Sequence, residues 1–592
     1  METLIDRLAR HTAERGDATA YAVRSAEGWQ TTPWRDFERQ ILQVSRALVT
    51  LGVAPGGTVA LLGFNRPEWT LGCLGTIAIG AAPAGVYQTC APNQVAYILG
   101  HAGSRVVLVE NALQLDKIRQ VRDQLPALAW VVVMDAEGVE LREAELDWPA
   151  FLAHADETPE AAPAERRAAL EPDSLATLIY TSGTTGTPKS VMLSHHNILE
   201  TGRIGAQLHD LGPNDRVLSY LPLAHIAEQM ISVHISVYTG YAVYYAESPE
   251  RLADNLREVQ PTLFFGVPRV WERIDQAIRD RLSEAGFVKR GLARWALSVG
   301  RKAAAVRNTG GEVRGALARS ERLANRLVLA KVRDRLGMGA VRIAASGAAP
   351  IAREVLERFS GLGVRILEVY GLSETCGPTT WNTLERIRFG TVGPVIPEVE
   401  VRIADDDEIQ VRGPNIFRGY LRDPDATAEA FTDDGWFRTG DLGAFDADGF
   451  LTVTGRKKDL LITSGGKNIA PSGIERALGQ LPLVAEAVVL GDGRRFLTAL
   501  VGLDPDALTK FAGDHGLDGD ALHDDPTVRS EVERGIERVN RDLARVETVR
   551  DFRILPRNLS IDEGELTPTL KIRRQAVAEH FADLVESMYP EG

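Results

Sequence analysis

"YTSGTTGTPKS", residues 180–190, sets Thr181, Ser182, Thr184 and Thr185 around Gly183 and Gly186 and follows them with Pro188 and Lys189. Glycine lacks a Cβ, so backbone N–H groups there can come close to phosphate oxygens, and hydroxyls add further donors. Lys189 adds a positive charge. The stretch is not a Walker loop, which needs Gly directly before Lys; here Thr187 and Pro188 intervene. "LATLIY" (175–180) reads as a strand ahead of the loop. "VMLSHHNIL" (191–199) follows it, with Ser194 or Asn197 placed to open a helix. A polar, glycine-rich loop after a strand is where α/β folds place ligands.

The surrounding chain supports that setting. Short apolar runs, "TVALLG" (58–63), "RVVLVE" (105–110) and "WVVVMD" (130–135), alternate with helical stretches, and so do "AVYY" (242–245), "TLFFGV" (262–267), "VRIAAS" (341–346) and "VRILEVYG" (364–371). Strand–helix alternation implies parallel sheets with covering helices. From Val392 the texture changes to short strands with turns, as in "VEVRIADDDEIQVRG" (399–413) and "GFLTVTGR" (449–456), which predicts a smaller β-rich subdomain. The last part carries its own strands, "AEAVVLGD" and "FLTALVGL", and reads as a separate small α+β domain. A chain of 592 residues is too long for one core, so two or more domains are expected.

Bulk properties narrow the function. The formal net charge of −14 disfavours non-specific nucleic-acid binding. Cys73, Cys90 and Cys376 form no metal-ligand spacing, and so few scattered thiols read as cytosolic. The opening "METLIDRLARH" is charged throughout, without an apolar signal core. The most apolar stretch, Thr70 to Tyr87, is interrupted by Pro83 and reads as a buried helix and a strand rather than a membrane span. One segment stands apart: residues 269–335 hold 17 Lys+Arg against 7 Asp+Glu, a net +10. It reads as a solvated helical hairpin, or as a basic face for an anionic membrane surface.

Taken whole, "YTSGTTGTPKSVMLSH" resembles the phosphate loop of the adenylate-forming enzymes, which include acyl-CoA synthetases, peptide-synthetase adenylation domains and luciferases. Six further segments resemble that superfamily's motifs in order: "YLPLAHIAEQ" (220–229), "SGAAPI" (346–351), "YGLSET" (370–375), "GWFRTGDLG" (435–443), "GRKKDLLITSGGKNIAP" (455–471) and "LTPTLKIRR" (566–574). The resemblance implies an N-terminal adenylation domain, 1–455, of two doubly wound α/β subdomains and a small β-barrel-like subdomain. A small mobile α+β domain, 456–592, would follow. It implies two steps: a carboxylate attacks the α-phosphate of ATP to give an acyl-adenylate and pyrophosphate, and a thiol then expels AMP. Thr181, Ser182, Gly183, Thr184, Thr185, Gly186 and Lys189 would hold the β- and γ-phosphates. Ser346, Gly347 and Ala348 would lie beside adenine, with Tyr370 and Gly371 near it. Ser373 would donate to the α-phosphate and Glu374 would help bind Mg²⁺. Asp441 would accept from the ribose hydroxyls, with Arg456 beside it. Lys458 would be the hinge, and Lys571 would bridge carboxylate and α-phosphate in the first step alone. Leu570 precedes that lysine where many members have Gly. Gly465, Gly466 and Lys467 would line the pantetheine tunnel of CoA, and His225 would sit between the acyl and thiol entrances.

"FFGVPRVWERI" (264–274), a helical excursion over 275–338, "GGKNIAP" and "LTPTLK" resemble the long-chain fatty acyl-CoA synthetases most closely. Trp271 is either part of an acyl gate or an ordinary packed tryptophan. The alternatives are a ligase that loads an acyl carrier protein, a CoA ligase for medium-chain or aryl acids, a weakly catalytic membrane-associated scaffold, and an oxidative activity on the same fold. The implied cofactors are ATP, Mg²⁺ and CoA. The implied partners are a fatty acid and no nucleic acid, with a homodimer and peripheral contact with the inner face of a membrane as further expectations.

Overall fold

The computed structural model describes residues 3–181, 187–517, 522–567 and 571–589. Two eight-stranded sheets dominate the N-terminal part. In the first, Thr58–Leu62 pairs in parallel with Ala82–Val86 and Val106–Val109, and all three strands are buried throughout. That follows from their unbroken apolar runs, which suit a parallel sheet covered on both faces. The apolar stretch 70–87 resolves into the helix Pro67–Ala78 and the strand Ala82–Val86. Gly75 lets this helix press on its neighbour Trp34–Thr50, because a Cβ there would stand 2.6 Å from Val44. The second sheet runs parallel through Arg216–Ser219, Leu263–Phe265, Ile343–Ser346 and Ile366–Leu372, and closes antiparallel on Gly377–Trp381.

The two sheets meet where the 220–225 segment crosses the strand Ala82–Val86. Asn65 Nδ2 donates to Ser219 Oγ at 2.8 Å and to the Leu221 carbonyl at 2.7 Å. A Cβ on Gly85 would lie 2.8 Å from Ala224 Cα, so glycine there permits the crossing. The β-rich subdomain is an antiparallel sheet of Glu400–Ile403, Glu408–Arg412, Phe437–Phe445 and Leu451–Arg456. The last of these strands bonds onward through Leu451 to Val392 and Gly393. The smaller C-terminal domain carries Val484–Leu490, Leu497–Leu503 and Val549–Ile554, backed by Pro471–Gly479 and Pro526–Asn540. Among the described residues its buried apolar clusters draw only on positions from Leu461 onward, and the N-terminal clusters stop at Val453.

The basic segment 269–335 is helical, as the sequence suggested. Pro268–Glu284, Phe287–Asn308, Gly315–Ala324, a π-turn at Asn325–Leu329 and Ala330–Arg335 follow one another. Trp271 at its root is buried, donates from Nε1 to the Gly266 carbonyl at 3.0 Å, and meets Phe264 and Phe359 edge-on. Those contacts pack it into the core at the base of the excursion. Farther along, the buried Asp275 is paired with Arg358 and Arg279.

Two glycines on the helix Phe287–Asn308 give opposite expectations. A Cβ on Gly300 would stand 1.9 Å from the Gly361 carbonyl oxygen, whereas one on Gly291 would meet nothing within 4 Å. Gly300→Ala should therefore destabilise by about 1–3 kcal/mol through overpacking. Gly291→Ala should stabilise by up to about 1 kcal/mol through helix propensity. Denaturant midpoints of the two variants, moving in opposite directions from the wild type, check both.

Candidate active site

Asp441 and Arg456 face each other as cross-strand partners on Phe437–Phe445 and Leu451–Arg456. The Asp441 carboxylate accepts from Arg456 Nε at 2.7 Å and from the Tyr370 hydroxyl at 2.9 Å. Its own N–H donates to Thr439 Oγ1 at 3.1 Å, which fixes the turn of the backbone. An ionised carboxylate offers about four acceptor positions, so capacity for further donors remains. Tyr370's phenol is pushed well above its ordinary pKa by burial and by the Asp441 charge, and stays a donor.

Next to this pair, Ile366–Leu372 and Gly377–Trp381 form a tight hairpin that presents "YGLSET". Gly371 is required there, since a Cβ would lie 1.7 Å from the Gly377 carbonyl oxygen. Thr375 Oγ1 staples the turn by accepting from Leu372 N at 2.9 Å and donating to the Gly377 carbonyl at 2.7 Å. Ser373 bonds through its carbonyl to Cys376 N at 3.1 Å. Glu374 at the apex is anchored through its carbonyl, which accepts from Phe417 N at 2.9 Å. Its Oε1 accepts from the Tyr420 hydroxyl at 3.0 Å. The Lys189 ammonium sits 4.7 Å from the centroid of the same Tyr420 ring.

On the adjacent strand, Ser346 ends Ile343–Ser346 opposite Glu368, and its Oγ is buried without a partner among the described residues. Ala348 holds a φ of +68°, uncommon for a residue with a Cβ and the kind of backbone strain that gathers at binding sites. His225 caps a short helix by accepting from Ala227 N at Nδ1, which leaves its proton on Nε2. Burial, with the nearby Lys571 charge, lowers its pKa to about 4, so the imidazole is neutral at physiological pH. The buried Glu228 accepts from Ser219 at 2.7 Å and from Ser232 at 2.5 Å, and burial raises it to about 7.

Lys571 comes from the C-terminal domain into this cleft. Its pKa is lowered, first by burial and then by the Arg456 charge, while Asp441 and Glu374 pull it back up. Lys571 is nevertheless exposed to solvent as a residue, so it is within reach of a ligand from outside. Lys458, in a single turn after Leu451–Arg456, is lowered by burial and by Arg456 and also feels Asp441 and Glu374.

Residues 8–421 match the AMP-binding enzyme family, and residues 458–592 match the AMP-binding enzyme C-terminal domain. The chain belongs to the AMP-binding enzyme family. It is 36% identical over 609 residues to the long-chain-fatty-acid–CoA ligase ACSBG1 of Homo sapiens, covering 97% of this chain and 84% of that one. It is 35% identical over 577 residues to the long-chain-fatty-acid–CoA ligase FadD15 of Mycobacterium tuberculosis, covering 95% and 92%. In fold it matches the A domain of the carboxylic acid reductase from Segniliparus rugosus, solved with AMP and a co-purified carboxylic acid. That match has a TM-score of 0.74 at 22% identity and covers 99% and 94% of the two chains.

Within this AMP-binding enzyme, Thr181, Lys189, Ser346, Tyr370 and Gly371 stand on strands of the N-terminal domain, Gly347, Ala348, Ser373 and Glu374 on the turns that follow them, and Asp441 and Arg456 on its β-rich sheet. Ser182, Gly183, Thr184, Thr185 and Gly186 lie outside the described residues. Their flanks add an element the sequence reading missed: Leu175–Thr181 and Lys189–Ser194 pair antiparallel, so a strand separates the loop from the helix His195–Leu208. Ser194 does cap that helix, accepting from Asn197 N. Gly465, Gly466 and Lys467 form the exposed turn of a small hairpin, bonded among the described residues within the C-terminal domain.

Tyr420 escaped the sequence reading. It lies in "IFRGYLRD" (416–423), outside every recognised segment, and only the fold brings its two ends to Glu374 and Lys189. Tyr420→Phe keeps the ring under Lys189 and loses the bond to a charged acceptor, a kind of bond that contributes about 1.5–3 kcal/mol. ATP-dependent pyrophosphate release should fall roughly tenfold. Tyr420→Leu should fall further. Equal rates for all three proteins would remove Tyr420 from the site.

Proposed function

We propose that this AMP-binding enzyme is a long-chain fatty acid–CoA ligase that forms an acyl-adenylate from fatty acid and ATP and then a thioester with CoA. One observation carries the reading: Lys571 of the C-terminal domain reaches a cleft in which Asp441, Glu374 and Arg456 act on its charge. The Arg456 charge works against the charge on Lys571 while Asp441 keeps Arg456 protonated, so the space beside the two cations suits an anion. Bringing a carboxylate up to a phosphate joins two anions, and fixed cations aimed at the developing charge are what lowers that barrier. Asp441, already oriented by Arg456 and Tyr370, is set to accept from ribose hydroxyls. Lys189 and Thr181 flank the loop proposed for the β- and γ-phosphates.

Mg²⁺ fits the residues present in one way. Among the described residues no cluster of three His, Cys, Asp or Glu could hold a metal alone. Glu374 offers a single carboxylate, the donor set of an ion that arrives with phosphate oxygens and keeps several waters. When bound, Mg²⁺ would supply charge neutralisation at the phosphates. Tyr420 would orient the Glu374 oxygen left to it.

The acyl and thiol assignments draw support from the relatives, which carry the long-chain-fatty-acid–CoA ligase name over nearly the whole chain. In this proposal the neutral His225 lies between the two entrances and Lys458 is the hinge. Gly465, Gly466 and Lys467 would contact pantetheine after the C-terminal domain has turned. Peripheral contact between the helical excursion and an anionic membrane belongs to the same proposal. No helix among the described residues is long and apolar enough to cross a membrane.

Lys571→Ala should lower palmitoyl-adenylate formation by about 10²–10³ and leave conversion of supplied palmitoyl-adenylate to palmitoyl-CoA near the wild-type rate. Palmitate-dependent AMP release with and without CoA, beside the supplied-adenylate assay, measures both steps. Loss of both in the variant would overturn the first-step role. AMP release indifferent to CoA would overturn the CoA acceptor.

The pH profile offers a second check. A lowered lysine loses its proton at lower pH than an ordinary one, and the free enzyme's groups appear in kcat/KM. The alkaline limb of kcat/KM for adenylation should therefore lie below the ordinary lysine value and move upward in Lys571→Arg.

A further inference from the structure

The corner between Pro268–Glu284 and Phe287–Asn308 carries two side chains that nothing covers. Phe287 is 90% exposed and Val288 is 79% exposed, and Leu292 lies one turn on at 41%. The corner is fastened from behind: Arg290 Nη2 donates to the Ser283 and Ala285 carbonyls, at 2.5 and 2.9 Å. The apolar tip is thus held outward on a tied turn. Lys289 and Arg294 flank it, both exposed.

A second face of the excursion repeats the combination. Arg319, Arg322, Leu323, Arg326 and Leu327 recur at helical spacing, and all five are exposed. Leu323 is 50% exposed and Leu327 41% exposed. Among the described residues none of these three arginines is in an ion pair, although Arg307 and Arg314 nearby are paired with Glu321 and Glu312. Unpaired bases interleaved with exposed leucines describe a helix that lies on a charged, apolar-cored surface.

We propose that this excursion seats on an anionic lipid surface, with Phe287 and Val288 inserted below the headgroups and Arg319, Arg322 and Arg326 resting on the phosphates. The inference deepens the membrane contact proposed above, and it fixes which side chains make it. Charge complementarity favours lipid: the segment is net +10 in a chain of −14, so attraction to a negative plane is local and orients the molecule. Shape favours lipid over a folded partner. Side chains this exposed stand clear of their neighbours, and a convex apolar tip finds its complement in a fluid interior more readily than on a rigid surface.

The test is vesicle co-sedimentation of the full chain with phosphatidylcholine alone and with about one-third phosphatidylglycerol. The wild type should sediment with the anionic vesicles and be released by salt, since screening shortens the reach of surface charge. Each basic residue near such a surface is worth about fivefold in partitioning. Arg319→Ala, Arg322→Ala and Arg326→Ala together should therefore weaken binding by on the order of 10²-fold. Phe287→Ser with Val288→Ser should weaken it at least tenfold while keeping its salt dependence.

Insertion has a direct readout. The three native cysteines are buried, so Val288→Cys labelled with a polarity-sensitive dye reports that position alone. Its emission should shift to the blue on anionic vesicles. All the substituted side chains are exposed, and unchanged melting midpoints confirm the fold. Equal sedimentation of all variants, or a dye that stays in water, would overturn the proposed face while leaving membrane contact elsewhere. No sedimentation of the wild type with either vesicle would overturn membrane contact itself, and the AMP-release assay would still decide the ligase reading separately.

Discussion

Arg456, Lys458 and Lys571 converge on Asp441 and Glu374, so the centre of the cleft holds more positive than negative charge. Much else in the molecule answers to that imbalance. Both lysines are pushed below their ordinary pKa by burial and by Arg456, so holding them together is unfavourable until an anion enters. A nucleotide phosphate supplies what is missing. Binding therefore favours the arrangement in which the C-terminal domain delivers Lys571, and the coupling works in the other direction too. Asp441 cannot neutralise the cluster alone, because Arg456 and Tyr370 already occupy part of it.

The scaffold supports this by rigid local devices. The hairpin under "YGLSET" needs glycine at Gly371 and the Thr375 staple to hold Glu374 at its apex. Tyr420 links that carboxylate to Lys189, so the groups proposed for the metal and for the phosphates share one side chain. On the other flank, Glu228 is held by Ser219 and Ser232, and Ser219 also accepts from Asn65 of the neighbouring sheet. The segment that ends in His225 is thereby pinned where the two large sheets meet.

Much of this was legible in the sequence, for identifiable reasons. Unbroken runs such as "TVALLG" and "RVVLVE" announce doubly covered parallel strands, and the turn to short polar-apolar strands after Val392 announces the third sheet. Asp441, Arg456 and Glu374 sit in contiguous motifs, so their grouping could be anticipated. Tyr420 could not: its meaning lies in two contacts distant along the chain, and "RGYL" by itself carries no chemistry. The strand Lys189–Ser194 was hidden because its apolar run leads straight into a helix, and period alone does not separate the two over so few residues.

The boundary between the domains has the physical character that a reversible docking requires. Among the described residues no buried apolar cluster spans the gap between Val453 and Leu461. Charge acts across it: Asp562 on Lys117 and Arg269 on Glu486. Charge pairs at solvent-facing boundaries contribute little each, about 0–1 kcal/mol, and water replaces them readily when they part. An apolar seam of comparable extent would instead resist separation in proportion to the area exposed. In the proposed reaction Lys571 would therefore be held in the cleft by interactions that the ligand's own charge can outweigh in either direction. On that reading anionic phosphate would favour its presence, and loss of charge with departing pyrophosphate would remove the main reason for it to stay.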